Sequence, residues 1–311
     1  MLKQVIEIYD LLDDSRISGQ KVADFLRDRG LENITVKKIR GETGETDFIK
    51  IIIPGIEGKE NNGKALTLGL VGRLGGIGAR PERIGLVSDA DGALTVLSCA
   101  LKIADMTKKG DLLKGDVTIS THICPNAPTQ PHHPVSFMGS PVDMSKMNEF
   151  EVDSYMDALL SVDATKGNRI INYKGFAITP TVKEGHILRI SEDLLDIMEW
   201  TTGKSPRVAP ITTQDITPYG NGLFHMNSIM QPCTATNAPV VGIAITAEKT
   251  IPGCATGANN ELDIEEAARY CIEVAKVFTE GKCKFYNEEE FNKIVNLYGS
   301  MKILQTFGKN K

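Results

Sequence analysis

The stretch Val87-Ser-Asp-Ala-Asp-Gly-Ala-Leu-Thr-Val-Leu97 sets two acids two residues apart, follows them with a glycine, and runs straight into apolar residues at helical spacing. Just before it, Ile84 to Val87 reads as a short aliphatic strand. A strand that turns at once into a helix is half of a strand–helix–strand unit, the building block of a sheet with parallel strands. Acids at such a turn are either caps, accepting the orphan amides of the first helical turn, or ligands aimed at something bound above the sheet. One side chain suffices for a cap. That assigns capping to Asp91 and leaves Asp89 as a site candidate.

The same rhythm continues downstream. A helix runs through Leu94, Leu97, Leu101 and Ala104, then strands at Asp116 to Thr121 and ending at Ser161-Val-Asp-Ala164. A helix starts near Ser191 with Leu194, Leu195 and Met198, and Pro239 to Thr246 is a nearly all-apolar strand. Asp263 and Glu266 read as a capping box for a helix whose face is Ala267, Cys271, Val274, Ala275 and Phe278. Upstream, two short helices (Val5, Ile8, Tyr9, Leu12; then Val22, Phe25, Leu26) precede strands at Asn33 to Ile39, Phe48 to Ile53 and Ala65 to Val71, whose succession implies antiparallel pairing. Buried apolar strands alternating with helices give an α/β fold, a three-layer α/β/α arrangement around a mixed, largely parallel central sheet. With no linker and no repeat, 1–311 reads as a single domain: 1–64 the N-terminal helices and strands, 65–280 the main core, 281–311 a C-terminal helical tail.

With 311 residues, 41% hydrophobic and 24% charged, the chain can bury a large core, which excludes disorder. A net charge of -5 and the lack of a basic run argue against nucleic acid as a partner. Acids interrupt the apolar N-terminal positions as in no secretory signal, and no run approaches a membrane span, so the expected location is the cytoplasm, away from any membrane. Six scattered cysteines without a CxxC pair read as free thiols.

In open α/β sheets ligands sit beyond the carboxyl ends of the strands. Residues placed there are Asp89 and Asp91, His122 and Cys124, Asp163, and Glu248. His122 and Cys124, two apart on extended chain, point to one face and can share a metal or substrate. His132 and His133 diverge and read as surface residues; His186 and His225 read as core or interface residues. The irregular stretch Cys124 to Met147 has the character of a functional loop. Gly72-Arg-Leu-Gly-Gly-Ile-Gly78 has the composition of a phosphate loop, but Arg80-Pro81-Glu82 and a new strand follow where a helix would have to begin. No G-x-S-x-G elbow is present.

The order of these pieces resembles the zinc aminopeptidase superfamily, which includes the tetrahedral and glutamyl aminopeptidases, over roughly residues 65–278. Ser88-Asp-Ala-Asp-Gly92 with its helix resembles the family's turn whose aspartate bridges two metal ions, and Leu160-Ser-Val-Asp-Ala-Thr165 resembles the next ligand strand. Ile187 to Trp200 as helix, Val208 to Thr213 as strand, Asn221 to Met230 as helix and Ala238 to Thr246 as strand complete the likeness. The resemblance implies a zinc-exopeptidase-like fold and a divalent metal, zinc or similar, with Asp89 and Asp163 as the ligands it carries over; His122, placed beside them by its own strand end, is the third candidate ligand. The resemblance also implies association into a homo-oligomer. Arg73 and Gly75 stand where the family has its first His and Asp ligands, Cys124 and Pro125 where it has its glutamates, and no histidine follows Thr246.

The expected function is a hydrolase-like enzyme of altered site, acting on a small amino-acid or peptide-like substrate. His122 and Cys124 are its candidate catalytic residues. Arg73, Asn126 and Gln214 are candidates to bind the substrate, Arg73 by a bidentate pair with a carboxylate. The alternative is a catalytically inactive metallopeptidase-fold protein that binds a metabolite or serves in an oligomeric assembly.

Overall fold

The computed structural model describes residues 1–73, 75–77, 86–131, 133, 135–225, 228–253 and 259–305. Two amphipathic helices, α1 (Leu2–Leu12) and α2 (Gly19–Asp28), lead into the hairpin of β1 (Ile34–Arg40) and β2 (Glu45–Ile53). Then come β3 (Leu68–Gly72), α3 (Asp91–Thr107) and β4 (Val117–Ile123). A small hairpin, β5 (Thr129–Gln130) with β6 (Phe137–Met138), precedes α4 (Met144–Glu151) and β7 (Ala158–Ala164). Next are β8 (Gly175–Ile178), β9 (Val182–Lys183), β10 (His186–Ile187) and α5 (Glu192–Thr202). The chain continues through β11 (Val240–Thr246), α6 (Glu261–Thr279) and α7 (Glu288–Tyr298).

The main sheet runs β1-β2-β4-β3-β7-β11-β9-β10, with β8 also on β11. Its centre is parallel: β3 lies between β4 and β7, and β7 pairs with β11. Both margins are antiparallel, through β1 and β2 on one side and β8 to β10 on the other. The central strands β3, β4, β7 and β11 are buried almost throughout, as their unbroken aliphatic runs require.

Leu68, Leu70, Ile119, Leu160, Val162 and Ile243 pack on one face under α1, α3, α5 and α6. Val71, Leu159, Val240 and Ala244 pack on the other against Ile229 and Met230. That second face is covered by α4 and by a 3-10 helix, Ser228–Thr234, so its layer is less helical than the first. Five described cysteines, Cys99, Cys124, Cys233, Cys271 and Cys283, are free and buried, while Cys254 lies outside the described residues. Among the described residues no helix is long and apolar enough to cross a membrane.

Several local expectations are corrected. Residues 221–225 form no helix: Gly220 and Gly222 have φ of +84° and +79°, outside the helical region, and the segment beyond them is the 3-10 helix around Pro232. Val208 to Thr213 contributes a single bridge, Val208 to Ile178, rather than a strand. Leu86 and Val87 belong to no named strand, and Ile84 and Gly85 lie outside the described residues. Finally, α6 is capped by Asn260, whose side chain accepts from the amides of Leu262 and Asp263, so Asp263 sits inside the first turn instead of preceding it.

Candidate active site

The start of α3 lies directly on the carboxyl ends of β3 and β7. A Cβ at Gly92 would stand 2.4 Å from the Arg73 carbonyl oxygen and 2.6 Å from that of Val162, so only glycine permits this approach. The contact brings the Ser88–Ala90 turn, and with it Asp89, beside Asp163 near the end of β7.

Both carboxylates are almost fully buried. Asp89 Oδ2 accepts the Met138 amide at 3.1 Å. The Asp89 amide in turn donates to the Gly253 carbonyl. A Cβ at Gly253 would lie 2.4 Å from Asp89 Oδ2, so the Gly253 backbone closes over the acid. Asp163 Oδ2 accepts the Ser228 hydroxyl at 2.6 Å, and among the described residues its Oδ1 has no hydrogen-bond partner. Burial pushes Asp89 up to about 7, against the pull of the Met138 amide and with help from the charge of Asp91. Burial likewise pushes Asp163 up to about 8, opposed by the Ser228 hydrogen bond and aided by the like charge of Asp89. Burial, and after it the charge of Asp163, holds the Tyr219 phenol well above its ordinary range. Tyr219 is 36% exposed, and Ser228 is half-buried.

Asp91 has a different task from the cap expected of it. The first residue of α3 has no side-chain cap before it, and the Asp91 carboxylate pairs with Lys166 and accepts the Asn259 amide. Lys166 is itself buried, so the pair locks the loop after β7 to α3.

His122 and Cys124 do share a face, and what they share is Thr46. His122 Nδ1 lies 2.8 Å from the Thr46 hydroxyl while its Nε2 accepts the Gly75 amide at 3.0 Å, so both ring nitrogens are used. The arrangement fixes the tautomer with the proton on Nδ1, and burial, then the charge of Arg73, lowers the imidazole to about 3. The Cys124 thiol faces the Glu45 carbonyl, and burial raises it to about 11. A neutral, doubly engaged imidazole and a protonated thiol leave no base or nucleophile at neutral pH, so the catalytic role expected of this pair meets an obstacle in its own hydrogen bonding. Metal binding by His122 would need one of the two nitrogens released.

Arg73 is fully buried, its Nε 3.0 Å from Glu151 Oε2, with Nη2 donating to Asn148 Oδ1. The carboxylate it was expected to take from a substrate is supplied from within by α4. Asn126 and Gln214 are exposed; the Asn126 amide supports the Cys124 sulfur, and Gln214 opens a 3-10 turn. Glu248 is exposed, His186 Nε2 lies 3.2 Å from the Gly299 carbonyl oxygen, and His132 lies outside the described residues. The structure therefore brings together Asp89 and Asp163, and adds Ser228 and Tyr219, which sequence reasoning missed. Three hollows of 440, 460 and 340 Å³ lie on other surfaces, the first between the starts of α5 and α7.

The donor set does not fit a two-metal centre. Among the described residues no three of His, Cys, Asp and Glu gather as a metal site. Asp89 and Asp163 provide two carboxylates where two ions need several more donors.

No curated protein matches the chain in sequence. In structure the chain is similar to the bottromycin maturation enzyme BotP in complex with Mn, with a TM-score of 0.54 at 14% identity over 89% of this chain and 70% of that one. It is also similar to a cytosol aminopeptidase from Coxiella burnetii, with a TM-score of 0.49 at 13% identity over 89% and 68%. The first likeness agrees with the α/β sheet and helices described above. The sequence pattern of one family spans residues 37–308, nearly the whole chain. The chain thus belongs to the family described as Protein of unknown function (DUF1177).

Proposed function

We propose that the protein is a hydrolase-like enzyme acting on a small amino-acid or peptide-like substrate, with Asp89 and Asp163 as its acid–base pair. The observation that carries this reading is the pairing itself: two buried carboxylates near the carboxyl rim of the sheet, pushed to about 7 and about 8. Burial first, and for Asp163 the like charge of Asp89 as well, disfavours ionisation, so at neutral pH Asp163 holds its proton and Asp89 is the readier of the two to act as base. Such a pair supplies in one place the base that activates an attacking hydroxyl and the acid that protonates a leaving group. The fold shared with an enzyme, BotP, supports the reading.

A single divalent cation between the two carboxylates is the second reading, favoured by the Oδ1 of Asp163, which has no hydrogen-bond partner among the described residues, and by the manganese in BotP. Hydrolysis of small ester, amide and dipeptide substrates, followed with and without chelator and joined to metal analysis of the purified protein, tests both. Turnover that survives chelation and is lost in Asp163→Asn supports the acid–base pair. Turnover abolished by chelator and restored by manganese supports the cation. A protein that hydrolyses none of these substrates, with or without added metal, while a metabolite raises its melting temperature, overturns both and leaves a binding role.

A further inference from the structure

Asn-Gly occurs twice in the chain, at Asn62-Gly63 and at Asn221-Gly222. A carboxamide followed by glycine carries its own reaction, because the next backbone nitrogen can attack the side-chain carbon and glycine puts no Cβ in the way. What holds that nitrogen decides whether it does, and the fold treats the two positions differently. Gly63 is tied down. Its amide donates to the Gly58 carbonyl at 2.8 Å, and a Cβ on it would lie 1.9 Å from the Glu57 carbonyl oxygen. Gly222 is exposed, its amide donates to no acceptor among the described residues, and a Cβ on it would meet no atom within 4 Å. Asn221 is exposed as well, with its carboxamide folded back on the loop: Oδ1 accepts the Leu223 amide at 2.9 Å and Nδ2 donates to the Thr217 hydroxyl at 3.1 Å. The Leu223 N–H therefore sits on the oxygen that gains negative charge when the carbon is attacked.

We propose that Asn221-Gly222 is a self-modification site, at which the loop that carries Tyr219 converts to an aspartyl or isoaspartyl form with water as the only co-reactant. The Gly222 nitrogen gives its proton to solvent and bonds to Asn221 Cγ. The Cγ–Nδ2 bond breaks, and ammonia leaves with a proton taken from solvent, closing a five-membered imide. Water then opens the ring. Attack at Cγ breaks its new bond to nitrogen and gives aspartate, while attack at the main-chain carbonyl carbon breaks the original peptide bond and gives isoaspartate. One water is consumed, one ammonia is released, and nothing is oxidised or reduced. Either product adds a negative charge to a chain whose net charge is already -5 and removes the Nδ2 donor from Thr217. Isoaspartate also lengthens the main chain between Tyr219 and Ser228 by one carbon, on the way to the Ser228 bond with Asp163.

The test follows both Asn-Gly peptides of the full chain, held in native buffer and in parallel in concentrated urea, by mass and by enzymatic methylation of isoaspartate. In native buffer Asn221 is expected to convert roughly fivefold faster than Asn62, whose glycine amide must first give up a hydrogen bond. In urea the two should convert at similar rates, because only the fold distinguishes them. Equal rates in the native chain, a faster Asn62, or the same preference in urea as in buffer overturns the proposal. So does a native Asn221 that stays intact while its urea-treated counterpart is consumed.

Discussion

Arg73 Nε and Glu151 Oε2 meet at 3.0 Å with both side chains fully buried, tying the end of β3 to α4. Removing one partner of such a pair strands the other charge in the interior. Glu151→Ala is therefore expected to destabilise the fold by roughly 3–5 kcal/mol, seen as a lower midpoint in urea unfolding. A substitution to Leu at both positions should cost much less than the single change, because no charge is then stranded.

The buried acids make stability depend on pH in a definite direction. Asp89 and Asp163 are raised in the folded state to about 7 and about 8, so folding favours their protonated forms. Their contribution is complete below the unfolded value near 4 and is lost as pH rises through 7 and 8, each tenfold change in proton affinity being worth about 1.4 kcal/mol. Thermal unfolding of chelated protein should show the melting temperature falling between pH 5 and pH 8.5. Asp163→Asn should flatten that fall and be the more stable protein at pH 8.5, while losing hydrolysis.

His122 is expected to remain neutral across the physiological range. Its ring-carbon proton resonances should not titrate between pH 5 and pH 8, given burial that lowers it to about 3. His122→Ala leaves the Gly75 amide without its acceptor and should cost about 1–3 kcal/mol, measured by denaturant unfolding. Titration of this ring near pH 6.5 would contradict the double engagement with Thr46 and Gly75.

Asn260→Ala tests the start of α6. Losing the side chain that accepts two amides should cost about 1 kcal/mol, whereas Asp263→Ala should cost less. Equal costs would restore Asp263 as the cap.

How much of this was written in the sequence follows from what kind of signal each residue carries. β7 and β11 are near-continuous aliphatic runs, and β-strands buried on both faces must be, so they were legible without a partner in view. Asp163 could be placed at the rim because it lies near the end of such a strand, whereas Asp89 sits in the Ser88–Ala90 turn, which follows no named strand. Asp91 was misread because its partner, Lys166, is 75 residues away and charge pairing at that separation has no local pattern. The two-residue spacing of His122 and Cys124 correctly put both on one face, but spacing cannot say that Thr46 waits there. Ser228 and Tyr219 come from turns and a 3-10 helix with no repeating apolar period. The one available sign was Gly220 and Gly222 just after Tyr219, which mark a change of direction and not a function.

Gly92→Ala should be among the most damaging small changes in the chain, since its methyl would meet two backbone oxygens that cannot swing away. A loss of several kcal/mol is expected, on the order of other overpacked cores or more, measured as a fall in melting temperature. Because the helix start also carries Asp89, hydrolysis should be lost under conditions where residual folded protein persists.

The sealed sulfurs of the interior turn cysteine chemistry into a clock. Burial raises the thiols of Cys99, Cys124, Cys233 and Cys283, so each is shielded and protonated at once. An alkylating reagent meets them only when their surroundings part. Cys99 and Cys271, from α3 and α6, keep time for the helical side of the sheet, and Cys233, in the 3-10 helix behind Ser228, keeps time for the side that carries the acids. The order in which these sites are modified in native buffer would reveal which side of the molecule breathes first.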